Sequence, residues 1–341
     1  MRSRAALLWG AVAFILGQLA LAGAIEWRLP ELRDPNYGHK ERRLLQRLRQ
    51  SPAPPRTVVM LGSSRTVYGL RGQDVERALA GPDGAPVVFN FGLLGAGPLT
   101  ELLTLRRLLW QGVRPDLLLV EVLPPVLAGQ VRLTEVEQLE PHRLWHADLL
   151  LLERYVPEAS LRPGWWARWP VPCHSHRHAI LSELSPGLLP LGERLDNLPA
   201  IDDSGWVGFP AFFRDPELGR QATEIAHRDY AKYFAEFRLG GPNPPALREL
   251  LDVCRQEGIP AVLVVMPEGS KFRGWYTPAA WAEVEGFLAE VSRDFGADVI
   301  NAREWLPDED FADSHHQFPE GARRFSERLA REVIAPRLEG P

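Results

Sequence analysis

A chain of 341 residues, 45% of them hydrophobic, can bury a sizeable core as one domain with a large insertion or as one and a half domains. Its formal net charge of -5 leaves no basic footprint and argues against nucleic acid as a partner. Two cysteines, Cys173 and Cys254, are too few for a disulfide framework, although one bridge outside the cytoplasm stays open; 31 prolines and 29 glycines spread without repeat imply many loops.

Arg2 and Arg4 precede an uncharged run over residues 5–25, about 20 residues and so long enough to cross a bilayer as a helix. A signal anchor would keep this segment, and a signal peptide would lose it at a small-residue site such as Ala22-Gly23-Ala24. The full length of the run favours the anchor. Basic residues lie on both sides (Arg28, Arg33, Lys40, Arg42 and Arg43 follow), so the charge count alone is not lopsided. Long following domains translocate largely regardless of charge, which places the body on the extracytoplasmic side. Residues 26–55 read as a connector, helical and charged over 40–50 and proline-rich over 51–55.

Short apolar runs then predict strands over 57–61, 86–90, 116–122, 259–266 and 297–301. Helical patterns separate them, over 98–111 with Pro98 in its first turn, and over 246–256, 279–295 and 319–333. Continuous apolar strands alternating with helices predict an α/β fold, a parallel sheet covered on both faces. Sites in such sheets form where the carboxyl ends of strands meet the following loops. Three places qualify: Gly62-Ser63-Ser64, the glycine-rich segment 92–97, and the turn after Val122. Residues 127–245 break the rhythm and read as an insertion, with Trp145, Trp165, Trp166, Trp169 and Trp206 as its small core or as a carbohydrate platform.

A serine at the start of a helix sits among free backbone N–H groups that favour a developing oxyanion. To attack an acyl carbon it needs a base, and the base needs orienting. Asp313-Ser314-His315-His316, just before the helix begun by Pro319, can put a carboxylate on one imidazole nitrogen while the other faces the serine. Met266-Pro267-Glu268 ends the fourth strand, so Glu268 or Arg273 could line the same cleft. Cys173-His174-Ser175-His176-Arg177-His178 carries zinc-type ligands, but in no standard spacing and between prolines; it is read as an irregular loop, and no metal or cofactor is expected.

Leu61-Gly62-Ser63-Ser64, Asn90-Phe91-Gly92-Leu93-Leu94-Gly95 and Asp313-Ser314-His315-His316 followed by Pro319-Glu320-Gly321 together resemble the SGNH/GDSL hydrolase superfamily. The resemblance covers most of 57–122 and 259–333. It implies a three-layer, flavodoxin-like domain over 56–126 and 246–336, with 127–245 as a cap. It also implies Ser64 as nucleophile, His316 rather than His315 as base, Asp313 as orienter, and the N–H groups of Ser64 and Gly95 as oxyanion donors. One block departs: Leu123-Pro124-Pro125-Val126 stands where the family carries G-x-N-D, with Pro125 in the Asn position. Either another group supplies the donor, Arg65 or one from the insertion, or the site is slow, or it is not catalytic. The N-terminal span and divergent third block are similar to a membrane-anchored branch that accompanies alginate-type O-acetylation and teichoic-acid D-alanylation. That likeness implies an O-acyltransferase or carbohydrate esterase acting on a polysaccharide beside a membrane-bound O-acyltransferase. A non-catalytic scaffold of the same fold is the alternative.

Overall fold

The computed structural model describes residues 2–51, 54–81, 84–129, 135, 139–157, 161–190 and 201–338. Part of the proline-rich link (52 and 53) and parts of the 127–245 stretch (130–134, 136–138, 158–160 and 191–200) lie outside the described residues. The chain divides into two compact units, Met1–Arg42 with Val136–Ala200, and Arg43–Glu135 with Ile201–Pro341. The stretch 127–245 is therefore shared between the units, its latter part belonging with the sheet.

The larger unit is built on five parallel strands: β1 (Thr57–Gly62), β2 (Val87–Gly92), β3 (Leu117–Val122), β4 (Ala261–Val265) and β5 (Asp298–Asn301). Their order in the sheet is β2-β1-β3-β4-β5. The register sets Gly62 opposite Gly92, so the first two strands end level with each other. Every residue of β1, β2 and β3 is buried, as expected of strands covered on both faces. One face carries Val58, Met60, Val88, Leu117, Leu119, Val262 and Val264 against Phe325, Leu329, Val333 and Ile334 of the C-terminal helical segment. Alternation turns Val59, Leu61, Leu118, Val120, Leu263 and Val265 to the other face. The helix Pro98–Trp110 contacts β1 and packs on the helix Asn243–Glu257.

The elements follow the apolar runs closely, with two differences. The helix before β4 starts at Asn243, because Pro244 and Pro245 fall in its first turn, where a missing N–H removes no intrahelical bond. The last helix, Pro319–Leu329, passes into a π-helical turn over Ala330–Ile334 before a final turn, Ala335–Leu338.

The smaller unit is helical among its described residues. Its first helix, Arg2–Trp27, is long and apolar enough to cross a membrane, and Leu7, Leu8, Trp9, Phe14 and Leu16 on it are exposed. Trp165 is buried and donates from Nε1 to the Leu144 carbonyl at 3.0 Å, with the Trp166 and Trp169 rings against it. Trp166 is mostly exposed, so these tryptophans form a small core with one open member. Cys173 and Cys254 are both free thiols, the first exposed and the second buried.

Candidate active site

Gly62 closes β1 in a space without room for a side chain. A Cβ there would lie 2.1 Å from Thr66 Oγ1 and 2.4 Å from Glu121 Oε2. Ser63 then caps the helix Ser64–Gly69, its Oγ accepting from the Arg65 N–H at 3.2 Å. Ser64 is thereby the first helical residue, and its own N–H is among those with no intrahelical acceptor. Asn90 ties β2 to this turn, its Nδ2 donating to the Thr66 and Leu70 carbonyls at 2.6 and 2.8 Å while its Oδ1 accepts from the Gly92 N–H at 3.0 Å. The loop that follows is fastened to the end of β1 by Leu93 N–H on the Gly62 carbonyl, 2.8 Å. Gly95 occupies the third position of the turn closed from Ala96 N–H to the Leu93 carbonyl, at φ +70°, where a side chain would be strained.

After β5, residues 310–318 double back on themselves. Phe318 N–H bonds the Asp310 carbonyl at 2.8 Å and Ala312 N–H the His316 carbonyl at 2.9 Å. Ser314, at the tip, takes a left-handed φ of +70°, which costs a non-glycine residue about 1–2 kcal/mol. Two bonds offset that cost: its carbonyl accepts from Gly269 N–H at 2.8 Å and its Oγ from Phe272 N–H at 3.0 Å.

This turn presents Asp313 and His316 to Ser64. Asp313 Oδ1 accepts from the His316 backbone N–H at 2.8 Å, Oδ2 lies 2.7 Å from His316 Nδ1, and His316 Nε2 lies 2.8 Å from Ser64 Oγ. Burial alone would raise the Asp313 carboxyl. The electrostatic attraction of the His316 and His315 imidazoles and the hydrogen bonds from His316 overcome it and hold the group well below the usual carboxylate range. An ionised Asp313 can only accept, so Nδ1 carries the proton and Nε2 is left as acceptor for the Ser64 hydroxyl. Ser64 and His316 are half-buried and Asp313 is buried. Phe209 stacks on the His316 ring at 5.2 Å, and Tyr68 meets it edge-on at 5.4 Å.

Beneath this line lies a second set of charges. Arg65 donates to the Met266 and Pro267 carbonyls at 2.9 and 3.0 Å and sits 3.3 Å from Glu268. Glu268 also receives Arg303 Nε at 2.5 Å and the Tyr276 hydroxyl at 3.0 Å. Glu121, in β3, accepts from Ser63 N–H, Ser63 Oγ and Thr66 Oγ1 at 2.8, 2.8 and 2.6 Å. Desolvation works against the Arg65 charge, yet Glu268 and Glu121 outweigh it and raise the guanidinium further. Burial first, then Glu268, raises the Tyr276 hydroxyl well above its ordinary value.

Arg65 and Glu268 thus do not line an open cleft, being 1% and 0% exposed and bonded inward. Neither is available to an incoming ligand. Arg273 is partly exposed, with Nη1 turned to the Glu268 and Arg303 carbonyls. Pro124 and Pro125 begin a 3₁₀ turn, Pro124–Leu127, and both are buried.

His315 packs among aromatic rings. It stacks on Phe272 at 5.3 Å, meets Tyr230 edge-on at 5.5 Å, and contacts Asp313 through Nδ1 at 3.2 Å. Burial, with the charge of His316, lowers it to about 3. Asp313, His315 and His316 are the only three such groups among the described residues close enough to share a cation, within 4.8 Å. Both His316 nitrogens are engaged, by Asp313 and Ser64.

Glu121, Arg303, Tyr68, Phe209 and Tyr230 join the site without a motif to flag them. Only Glu121 leaves a trace in the sequence, as a lone carboxylate inside an apolar strand that must find partners once buried. The sequence matches no family model, and no curated protein matches it either.

Proposed function

We propose that the chain is an SGNH-like serine acyltransferase or esterase, and the observation that carries this is the continuous Asp313–His316–Ser64 hydrogen-bonded line. The strand order 2-1-3-4-5, shared with flavodoxin-like sheets, supports it, as does a serine directly after β1 beside a glycine-rich loop after β2. In this reading His316 Nε2 takes the hydroxyl proton as Ser64 Oγ attacks an acyl carbon. The tetrahedral species collapses as its bond to the donor oxygen breaks, and His316 returns the proton to that leaving oxygen. An acceptor hydroxyl, from a sugar or water, then attacks the acyl-serine, with His316 again as base, and Ser64 regains its proton. The N–H groups of Ser64 and Gly95 are the oxyanion donors of this scheme. The helix Arg2–Trp27 is its membrane anchor, the catalytic body is extracytoplasmic, and the substrates are acyl groups of a cell-surface or exported polysaccharide. A membrane-bound O-acyltransferase is the partner that would supply them.

A second reading, a non-catalytic scaffold that binds such an acyltransferase or the polysaccharide, is favoured by Pro125. Proline has neither a side-chain amide nor an N–H, and one missing oxyanion donor lowers rates about 10²–10³-fold. Arg65 is committed to Met266, Pro267 and Glu268 and does not replace it. Labelling of the full chain by a fluorophosphonate decides between the readings. Labelling of wild type that disappears in Ser64→Ala and His316→Ala supports the enzyme; folded wild type that is not labelled supports the scaffold.

A further inference from the structure

The smaller unit contains a cavity of about 870 Å³ whose lining is strongly basic in a chain that is acidic overall. Among the described residues, four guanidiniums, from Arg33, Arg143, Arg168 and Arg177, and four imidazoles line it, with a single carboxylate, Glu140. That carboxylate serves Arg143 at 3.1 Å and His142 Nε2 at 3.2 Å. Arg168 faces His142 Nδ1 at 3.2 Å; since arginine only donates, this nitrogen accepts and His142 is neutral. The stretch read as an irregular loop is in fact two short helices, Pro172–Ser175 and Arg177–Leu184, which bring His174, His176 and Arg177 to the cavity wall.

We infer that this cavity binds the phosphate of an anionic membrane lipid. Guanidiniums are planar, multi-donor groups that match phosphate oxygens, and among the described lining residues Glu140 is the one carboxylate, with the charge of Asp34 also reaching His142. The local field agrees: burial first, then Arg143 and Arg168, lowers His142 to about 4, and His176 is lowered to about 4 by burial, then by His142. Lipid is preferred to a soluble phosphate because of what adjoins the cavity. A smaller neighbouring cavity shares Arg33, His142, Arg168 and His176 with it and is lined also by Ala22, Ile25 and Glu26. Those three belong to the last turns of the first helix, whose apolar stretch Ser3–Trp27 has 25 residues. At 1.5 Å per residue it is about 37 Å long, against a hydrocarbon core of about 30 Å. Its end, with the largely exposed Trp27, therefore stands at headgroup depth, where basic pockets meet lipid phosphates. The inference does not depend on the chemistry proposed for Ser64.

The test uses the full chain in neutral detergent, titrated calorimetrically with dihexanoyl phosphatidic acid, dihexanoyl phosphatidylcholine and inorganic phosphate. Arg168 and Arg177 are exposed side chains, so Arg168→Gln/Arg177→Gln should fold; Arg220→Gln, in the other unit, is the control. Expected is saturable binding of phosphatidic acid, weakened about tenfold for each arginine removed and unchanged in the control. Equal affinity for inorganic phosphate would overturn the lipid assignment. Phosphatidic acid binding that is absent in wild type, or survives in the double variant, would overturn the site itself.

Discussion

Asp313, His316 and Ser64 form a line in which Ser64 and His316 are half-buried and reach solvent, whereas Arg65, Glu121, Glu268 and Arg303, at the same sheet edge, are all 8% exposed or less. The line contains one carboxylate, and its last hydrogen bond, from Ser64 to His316, is one that the proposed acyl transfer would break. The buried set is electrically balanced, two guanidiniums against two carboxylates. Glu268 is held by Arg65, Arg303 and Tyr276, and Glu121 by Ser63 and Thr66. A group that must exchange a proton keeps a bond exchangeable and a path to solvent. A group that must hold a strand end in place satisfies its acceptors and shuts water out. Removing a member of the first should cost rate, and removing a member of the second should cost stability.

That contrast can be broken at four points. Asp313→Asn leaves the shape intact but loses the acceptor that fixes the His316 tautomer, so fluorophosphonate labelling should slow about 10⁴-fold with little change in unfolding midpoint. Comparable labelling with a large loss of stability would place Asp313 with the structural set instead. Glu268→Ala leaves two buried guanidiniums against one carboxylate, Glu121, and should destabilise by about 3–5 kcal/mol in denaturant titrations. Its labelling rate per folded molecule should stay near wild type; a rate collapse would merge the two regions into one.

The third point is pH. His315 is packed in its neutral form, lowered to about 3 in the folded protein against about 6.5 when unfolded. The stability it contributes is complete above pH about 6.5 and is lost as pH falls toward 3, by about 1.4 kcal/mol per pH unit. His142 and His176, lowered to about 4, add to the same slope. A His315→Gln variant, followed by thermal unfolding between pH 7 and 4, should lose one proton's share of that slope (~1.4 kcal/mol per unit). An unchanged slope would mean that the imidazole accepts a charge where it sits. Smallest is Tyr276→Phe, which removes one hydrogen bond to Glu268 and should cost about 1.5–3 kcal/mol with labelling unaffected.

The same contrast separates what could be read from residue order from what could not. Strands such as 57–61 and 117–122 are legible because burial on both faces demands uninterrupted apolar residues, a demand written locally. Ser64 and the pair Asp313 and His316 are legible as candidates because each belongs to a short motif at a strand-to-helix junction. Arg65 and Glu268 lie in equally visible places, yet their side chains turn inward to partners as much as 203 positions away, a choice made by packing rather than by neighbours. Phe209 and Tyr230 come from a stretch without periodicity, so nothing short of the folded chain sets them against His316 and His315. Arg303 shows the same limit: its position after β5 is plain, and its partner after β4 is not.

The bond between Ser64 and His316 joins positions 252 residues apart. During synthesis at about 5–20 residues per second, the serine emerges some tens of seconds before its imidazole exists. For all that time it is an ordinary alcohol at the end of an unfinished sheet. Only when the turn around Ser314 has docked on Gly269 and Phe272 does the hydroxyl meet the His316 imidazole. On the proposed reading the serine thus waits for residues 313–316, and a polypeptide cut short before residue 313 would carry the first motif without its partner.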